Sequence, residues 1–150
     1  TRAVVETVTN MLDNKIEATQ AQIVLAPELI NLLGHQSLIL QLFLNLIDNA
    51  IKHRDPQRPP VIEITSQLDP EKEGYVLLKI SDNGKGIVPD CLPYIFKLFH
   101  GSANQSSNGI GLATCKKIVN HYEGEIWCES EVGEGTSFYF TLPHNVELNF

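Results

Sequence analysis

Apolar and polar positions recur along this chain with two different periods, and the changes of period mark its elements. Residues 3–20 repeat at three- and four-residue spacing, with Val4, Val5, Val8, Met11, Leu12 and Ile16 on one side, which predicts an amphipathic helix. A short apolar run at 22–26 (QIVLA), stopped by Pro27, predicts a strand. A second helical pattern covers about 36–53 and ends at the three prolines of 55–60. Strands are predicted at 61–68 and 75–81, joined by a charged turn around 69–74. The polar stretch 100–108 has Ala103 as its one apolar residue and is predicted to be a mobile loop. A helix at 111–122 follows, then a closing hairpin of strands at 125–130 and 137–142 that turns through Gly133 and Gly135. This order predicts an α/β two-layer sandwich, with a mixed, mostly antiparallel sheet of about five strands covered on one face by three helices.

The helix at 36–53 is unusual. In LILQLFLNLIDNAIKH, Gln41, Asn45, Asp48, Asn49, Lys52 and His53 share one face, while Leu42, Phe43, Leu46, Ile47, Ala50 and Ile51 cover the rest. A surface helix ordinarily shows a broad face of Lys and Glu. A narrow stripe of amides with one carboxylate, one ammonium and one imidazole needs partners, so it faces a polar ligand, a metal or a wet cleft. A solvated helix face that happens to hold two Asn is the plain alternative.

Two glycine motifs sharpen the choice. DNGKGI, Asp82 to Ile87, follows the apolar strand directly and sets a carboxylate at a sheet edge beside a tight turn. Gly84 and Gly86 permit close approach of a flat ligand, and the carboxylate can accept from an exocyclic amine, which suits adenine. Asp-Asn-Gly is also an ordinary turn sequence. NGIGLATCKKIV, Asn108 to Val119, runs from Gly109 and Gly111 into a helix whose first-turn amides can hold phosphate, or simply form a helix N-terminus. It is neither a P-loop nor a dinucleotide-binding fingerprint.

Bulk properties narrow the class. A chain of 150 residues buries about 68–70% of its unfolded surface, enough for one domain over 1–150. A net charge of −7 argues against a nucleic-acid partner. Cys91, Cys115 and Cys128 are scattered and odd in number, which suits a reduced cytoplasmic compartment. No apolar run approaches the roughly 18 residues of a membrane span, and no signal pattern opens the chain, so no membrane contact is expected. The chain starts without Met inside a helical pattern and reads as a fragment of something longer.

Taken in order, these segments resemble the ATP-binding domain shared by sensor histidine kinases, gyrase-type topoisomerases, heat-shock chaperones and mismatch-repair ATPases, the Bergerat fold. NLIDNAIKH is similar to the N box, DNGKGI to the first glycine box, YIFKLF to the F box and NGIGL to the second glycine box. The ending GEIWCESEVGEGTSFYFTLP resembles the last hairpin of histidine kinases, and the likeness is nearest to those of the phytochrome type. The resemblance implies ATP and Mg²⁺ as cofactors. It implies that Asn49 supplies an amide oxygen to the metal, that Asn45 supports metal and phosphates, and that Lys52 reaches a phosphate. His53 stands where relatives carry an aromatic beside the nucleotide. Asp82 would hold the adenine amine with Thr136 nearby, Gly84, Gly86 and Ile87 would shape the adenine floor, and Gly109, Ile110, Gly111 and Leu112 would border the phosphates. Phe96 and Phe99 would anchor the loop 100–108 as a lid, or pack in the core.

The resemblance also separates activities. Hydrolysing members carry a Glu four residues before the metal Asn as general base; here that residue is Asn45, which cannot take a proton at neutral pH. Asn45, Asn49 and Lys52 are therefore expected to serve transfer of the γ-phosphate to an external nucleophile rather than to water. The family's nucleophile is a histidine on a separate helical dimerisation domain, whose acceptor sequence is missing from this chain, and a response regulator lies downstream. Without that domain the chain is expected to be monomeric. Ser107 stands where the second glycine box usually begins with Gly, and the lid lacks a cation. These departures keep two alternatives in view: a nucleotide-binding interaction module without phosphotransfer, and a free-standing ATPase.

Overall fold

The computed structural model describes residues 1–97 and 108–144, those at 108–110 through their helical backbone alone. Strict alternation in the long strands decides how it is layered. Ile62 and Ile64 in β2 (Val61–Leu68), Val76, Leu78 and Ile80 in β3 (Tyr75–Asp82), and Phe138, Phe140 and Leu142 in the last strand are all buried. Glu63, Thr65, Lys79 and Tyr139 take intervening positions on the opposite face. With β1 (Gln22–Leu25), β4 (Ile126–Glu131) and β5 (Gly135–Pro143), these form a five-stranded sheet in the order β1-β2-β3-β5-β4. The β1–β2 pair is parallel and the other neighbouring pairs are antiparallel. A parallel pair needs a long crossover, and the connection here contains α3 (Gln36–Lys52).

Helix α3 packs on the apolar face of the sheet through Leu42, Phe43, Leu46 and Ile47, all fully buried, and Phe43 meets Phe140 edge-on at 5.6 Å between ring centroids. It lies between α1 (Arg2–Met11) on one side and α4 (Asn108–His121) on the other. Trp127 and Tyr139 stack on the opposite, uncovered face at 5.4 Å, with Lys79 Nζ 5.6 Å from the Tyr139 ring. No helix among the described residues is long and apolar enough to cross a membrane.

The expected two-layer architecture is present, with local differences. The helix predicted over 3–20 is broken at Leu12, where φ −99° and ψ 12° separate α1 from α2 (Asp13–Thr19). Asp13 and Asn14 suit helix ends better than interiors, and the bend keeps Val5, Val8 and Leu12 all in the core. Helix α4 begins at Asn108, three residues before the predicted start, and so takes in both glycines of the second motif. The rest of the predicted loop, with Ser107, and Phe99 lie outside the described residues.

Candidate functional site

Segments far apart in sequence converge at the C-terminal end of α3. Asp82 is the last residue of β3, paired across the sheet with Ile62 and Thr136. Its Oδ1 accepts from the Gly84 amide at 2.8 Å, an Asx turn that opens the glycine motif, and from the Thr136 amide at 3.2 Å. No described residue donates to Oδ2, which leaves that oxygen for a ligand donor. Burial holds the Asp82 carboxyl above the ordinary carboxylate range, against the opposing pull of the two amides.

The helix end meets this turn directly: the Lys85 amide donates to the His53 carbonyl at 3.2 Å. Four residues before His53, half-buried Asn49 makes no side-chain hydrogen bond to any described residue. Asn45 is tied on both sides, accepting from Gln41 Nε2 at 2.8 Å and donating through Nδ2 to the Gly111 carbonyl at 3.3 Å. A carboxylate at this position could not donate to that carbonyl, so the amide is what joins α3 to the first turn of α4. Asp48 accepts from Lys15 of α2 at 2.8 Å and lies 3.3 Å from Lys52 Nζ.

The hairpin closes the other side. Gly86 (φ 80°) and Gly135 (φ 140°) place the glycine turn and the hairpin backbone in direct contact: a Cβ on Gly86 would strike the Glu131 carbonyl, and one on Gly135 the Asp82 carbonyl. Thr136, only 7% exposed, shares a hydroxyl–hydroxyl bond of 2.8 Å with Ser130, whose Oγ also accepts the Ile87 amide at 2.8 Å. Asp82, Thr136, Ser130 and the glycine turn thus form one connected polar wall.

A family model described as histidine kinase-, DNA gyrase B-, and HSP90-like ATPase matches residues 34–146, a span that holds each of these groups except Lys15. The chain belongs to this family. Among its relatives, cyanobacterial phytochrome A of Nostoc sp. is 39% identical over 135 residues, covering 88% of this chain and 17% of that protein. The adaptive-response sensory kinase SasA of Synechococcus elongatus is 41% identical over 106 residues, covering 69% of this chain and 26% of that protein. The chain therefore spans only a minor part of these relatives' length. The solved structure of full-length ShkA in complex with AMPPNP shares the fold with a TM-score of 0.80 at 22% identity, covering 97% of this chain and 30% of that one. This is the ATP-binding domain type of the histidine kinases, as the N box, glycine boxes and last hairpin imply.

Within the histidine kinase-type fold, contacts join His53 to the glycine turn, Asp82 to Gly84 and Thr136, Gly86 to the hairpin backbone, and Ile87 through Ser130 to Thr136, while Asn45 meets Gly111 at the first turn of α4. Asn49 and Lys52 lie on α3 between Asn45 and His53. Gly109 and Ile110 lie on the first turn of α4, where only the backbone is described. Leu112, expected at the phosphate border, turns its side chain into the core at 7% exposure. Phe96 packs edge-on against Phe138 at 6.1 Å, which is the core alternative for this residue. Among the described residues no group of three or more His, Cys, Asp and Glu could hold a metal alone.

Three positioning residues were not singled out by the sequence reading. Arg58 donates to carbonyls of the turn after Asp82 and of the turn between β4 and β5. Asn83 fixes the glycine turn, accepting from the Val61 amide at 2.8 Å and donating to the Pro59 carbonyl at 3.1 Å. Ser130 holds Ile87 and Thr136 together. A polar residue at an inward position of β4 was a readable signal for Ser130, and membership of the first glycine motif for Asn83; Arg58, in a proline-rich loop, carried none.

Burial, then Lys85, then Lys52, lower the His53 imidazole below its ordinary pKa of about 6.5. The folded state thus binds this proton less readily than the unfolded chain. Its stability is fully present above the ordinary value and is lost as pH falls through the lower, folded value. His53→Gln is expected to make the melting temperature fall less steeply between about pH 7.5 and about pH 5.5 than in the parent protein, as measured by thermal denaturation across that range. Burial also pushes the Cys115 and Cys128 thiols up to about 12, which keeps both protonated and unreactive at neutral pH.

Proposed function

We propose that this chain, as a single domain over 1–150, binds ATP with Mg²⁺ in the cleft and donates the γ-phosphate to a histidine on a separate dimerisation domain in two-component signalling. One observation carries the reading: half-buried Asp82, with Oδ2 left to a ligand, precedes the turn that meets the end of α3, and on that helix an amide, Asn45, stands four residues before Asn49 where a hydrolysing member carries its general base. Asp82 receives the adenine amine. Gly84, Gly86, Ile87 and Thr136 bound the base, His53 flanks it, and the first turn of α4 from Gly109 to Leu112 offers backbone amides to phosphate. Asn49 would hold the metal, since a single amide oxygen is a donor that suits Mg²⁺. When bound, Mg²⁺ supplies neutralisation of the charge that develops on the transferred phosphoryl group.

Asn45, Asn49 and Lys52 form the catalytic set. Asn45 orients α4 against α3 and cannot activate water, which favours transfer over hydrolysis. Lys52 can turn from Asp48 to a phosphate without stranding a charge, because Lys15 still pairs with that carboxylate. The remaining work is positioning of the phosphate opposite the incoming imidazole. On the same reading the domain is cytoplasmic and monomeric by itself, and the phosphohistidine is passed to a response regulator.

The test supplies the chain with His-bearing dimerisation helices of a phytochrome-type kinase and γ-labelled ATP·Mg²⁺. Acid-labile, base-stable label on the helices, lost in Asn49→Ala, is the expected result. Steady phosphate release with no labelled helices would instead identify an ATPase, and nucleotide binding with neither product would identify an interaction module.

A further inference from the structure

The loop after α3 sends Arg58 across two separate stretches of backbone. Its Nε donates to the Asn83 carbonyl at 2.6 Å, and its Nη2 is shared among the carbonyls of Gly84 at 3.0 Å, Gly133 at 2.9 Å and Glu134 at 3.4 Å. The first two carbonyls belong to the turn that follows Asp82. The other two belong to the turn that precedes Thr136. Asp55 Oδ2, 3.8 Å from Nε, steadies the guanidinium from its own loop.

We propose that Arg58 is a positioning residue for the base pocket: by tying these two turns together it sets the spacing of Asp82 and Thr136, and so the preference for an adenine amine over a guanine carbonyl. The inference rests on the nucleotide-site reading given above. Other bonds keep the hairpin folded without the arginine. The β3–β5 ladder runs unbroken from Tyr75 to Asp82, and the Gly133 amide donates to the Lys85 carbonyl at 2.9 Å. The Gly133–Lys85 bond joins the two turns at one point; the arginine adds a planar brace that holds carbonyls of both turns at once, beside the place where the Thr136 amide reaches Asp82 Oδ1 at 3.2 Å. A planar guanidinium presents donors in fixed directions and can serve both turns at once, whereas an ammonium is a point donor on a flexible stem. Loosening the brace lets the wall at Asp82 and Thr136 relax. Recognition of the amine, which depends on one fixed oxygen, then suffers more than phosphate binding at the far end of the cleft.

Arg58→Lys and Arg58→Ala, with the parent protein, are compared for ATP and GTP affinity by displacement of a fluorescent nucleotide, alongside far-UV circular dichroism and melting temperature. In Arg58→Ala, ATP binding is expected to weaken about tenfold and the ATP-over-GTP preference to shrink by about the same factor, with GTP affinity nearly constant. Arg58→Lys is expected to move in the same direction with a smaller change in melting temperature, and it decides the matter if the alanine variant does not fold. Equal weakening of ATP and GTP, or an unaltered preference in the folded variants, would overturn the positioning role. Failure of the parent protein to bind ATP at all would sink the nucleotide reading itself, a separate outcome from an unaltered preference in variants of a protein that binds.

Discussion

Asp82→Asn is expected to leave the fold intact while weakening ATP binding about 10- to 100-fold, a loss of about 1.4–2.8 kcal/mol that matches one hydrogen bond to a charged group. The asymmetry comes from the two oxygens. Asparagine keeps an acceptor for the Gly84 and Thr136 amides, so the turn retains its bonds. It replaces Oδ2 with an amide nitrogen, which sets donor against the donor of the adenine amine. Because burial raises the Asp82 pKa in the fold, the ionised carboxylate opposes folding at neutral pH; its contribution favours the fold in acid and is lost as pH rises through the folded value. The melting temperature of the variant at neutral pH should therefore equal or exceed that of the parent. Calorimetric titration with ATP·Mg²⁺ together with thermal denaturation checks both halves. Retained affinity would remove Asp82 from the site, and a collapsed melting temperature would make it a structural residue.

Gly135→Ala is expected to damage both stability and binding. A Cβ there would be driven into the Asp82 carbonyl, a backbone atom held in the sheet that cannot step aside. The residue also sits at φ 140°, a conformation that side chains rarely adopt. Backbone strain costs about 1–3 kcal/mol and overpacking about 1–3 kcal/mol more. Urea denaturation should show a loss of several kcal/mol, and nucleotide titration a weaker site, since Thr136 follows directly. A variant that denatures like the parent would mean that the two backbones do not touch in solution.

Much of this architecture is legible in the bare sequence because period-two and period-3.6 patterns survive wherever one face is buried. The strands carrying Ile62, Ile64, Val76, Leu78 and Ile80 fall where alternation places them; along the polar stripe of α3, Asn45 meets α4, Asp48 meets Lys15 of α2, and the backbone of His53 meets the glycine turn. The break at Leu12 was hidden because the apolar positions keep helical spacing through it; only packing of α1 and α2 on α3 decides where the backbone bends. Asp82 was readable as a carboxylate at a strand end before a glycine turn, and Thr136 through the family resemblance. Arg58 was not, because its partners are main-chain carbonyls contributed by two turns distant in sequence. At Leu112 the side chain goes to the core, so that any part it takes at the phosphate border falls to its backbone.

The stacked pair on the uncovered side of the sheet has a practical corollary. Trp127 is the chain's one tryptophan, and it lies 36% exposed against Tyr139, with the sheet between it and the helix layer. Its emission therefore reports whether the strands hold together and is blind to what enters the cleft. The molecule carries its own optical control, with unfolding and occupancy read on separate channels.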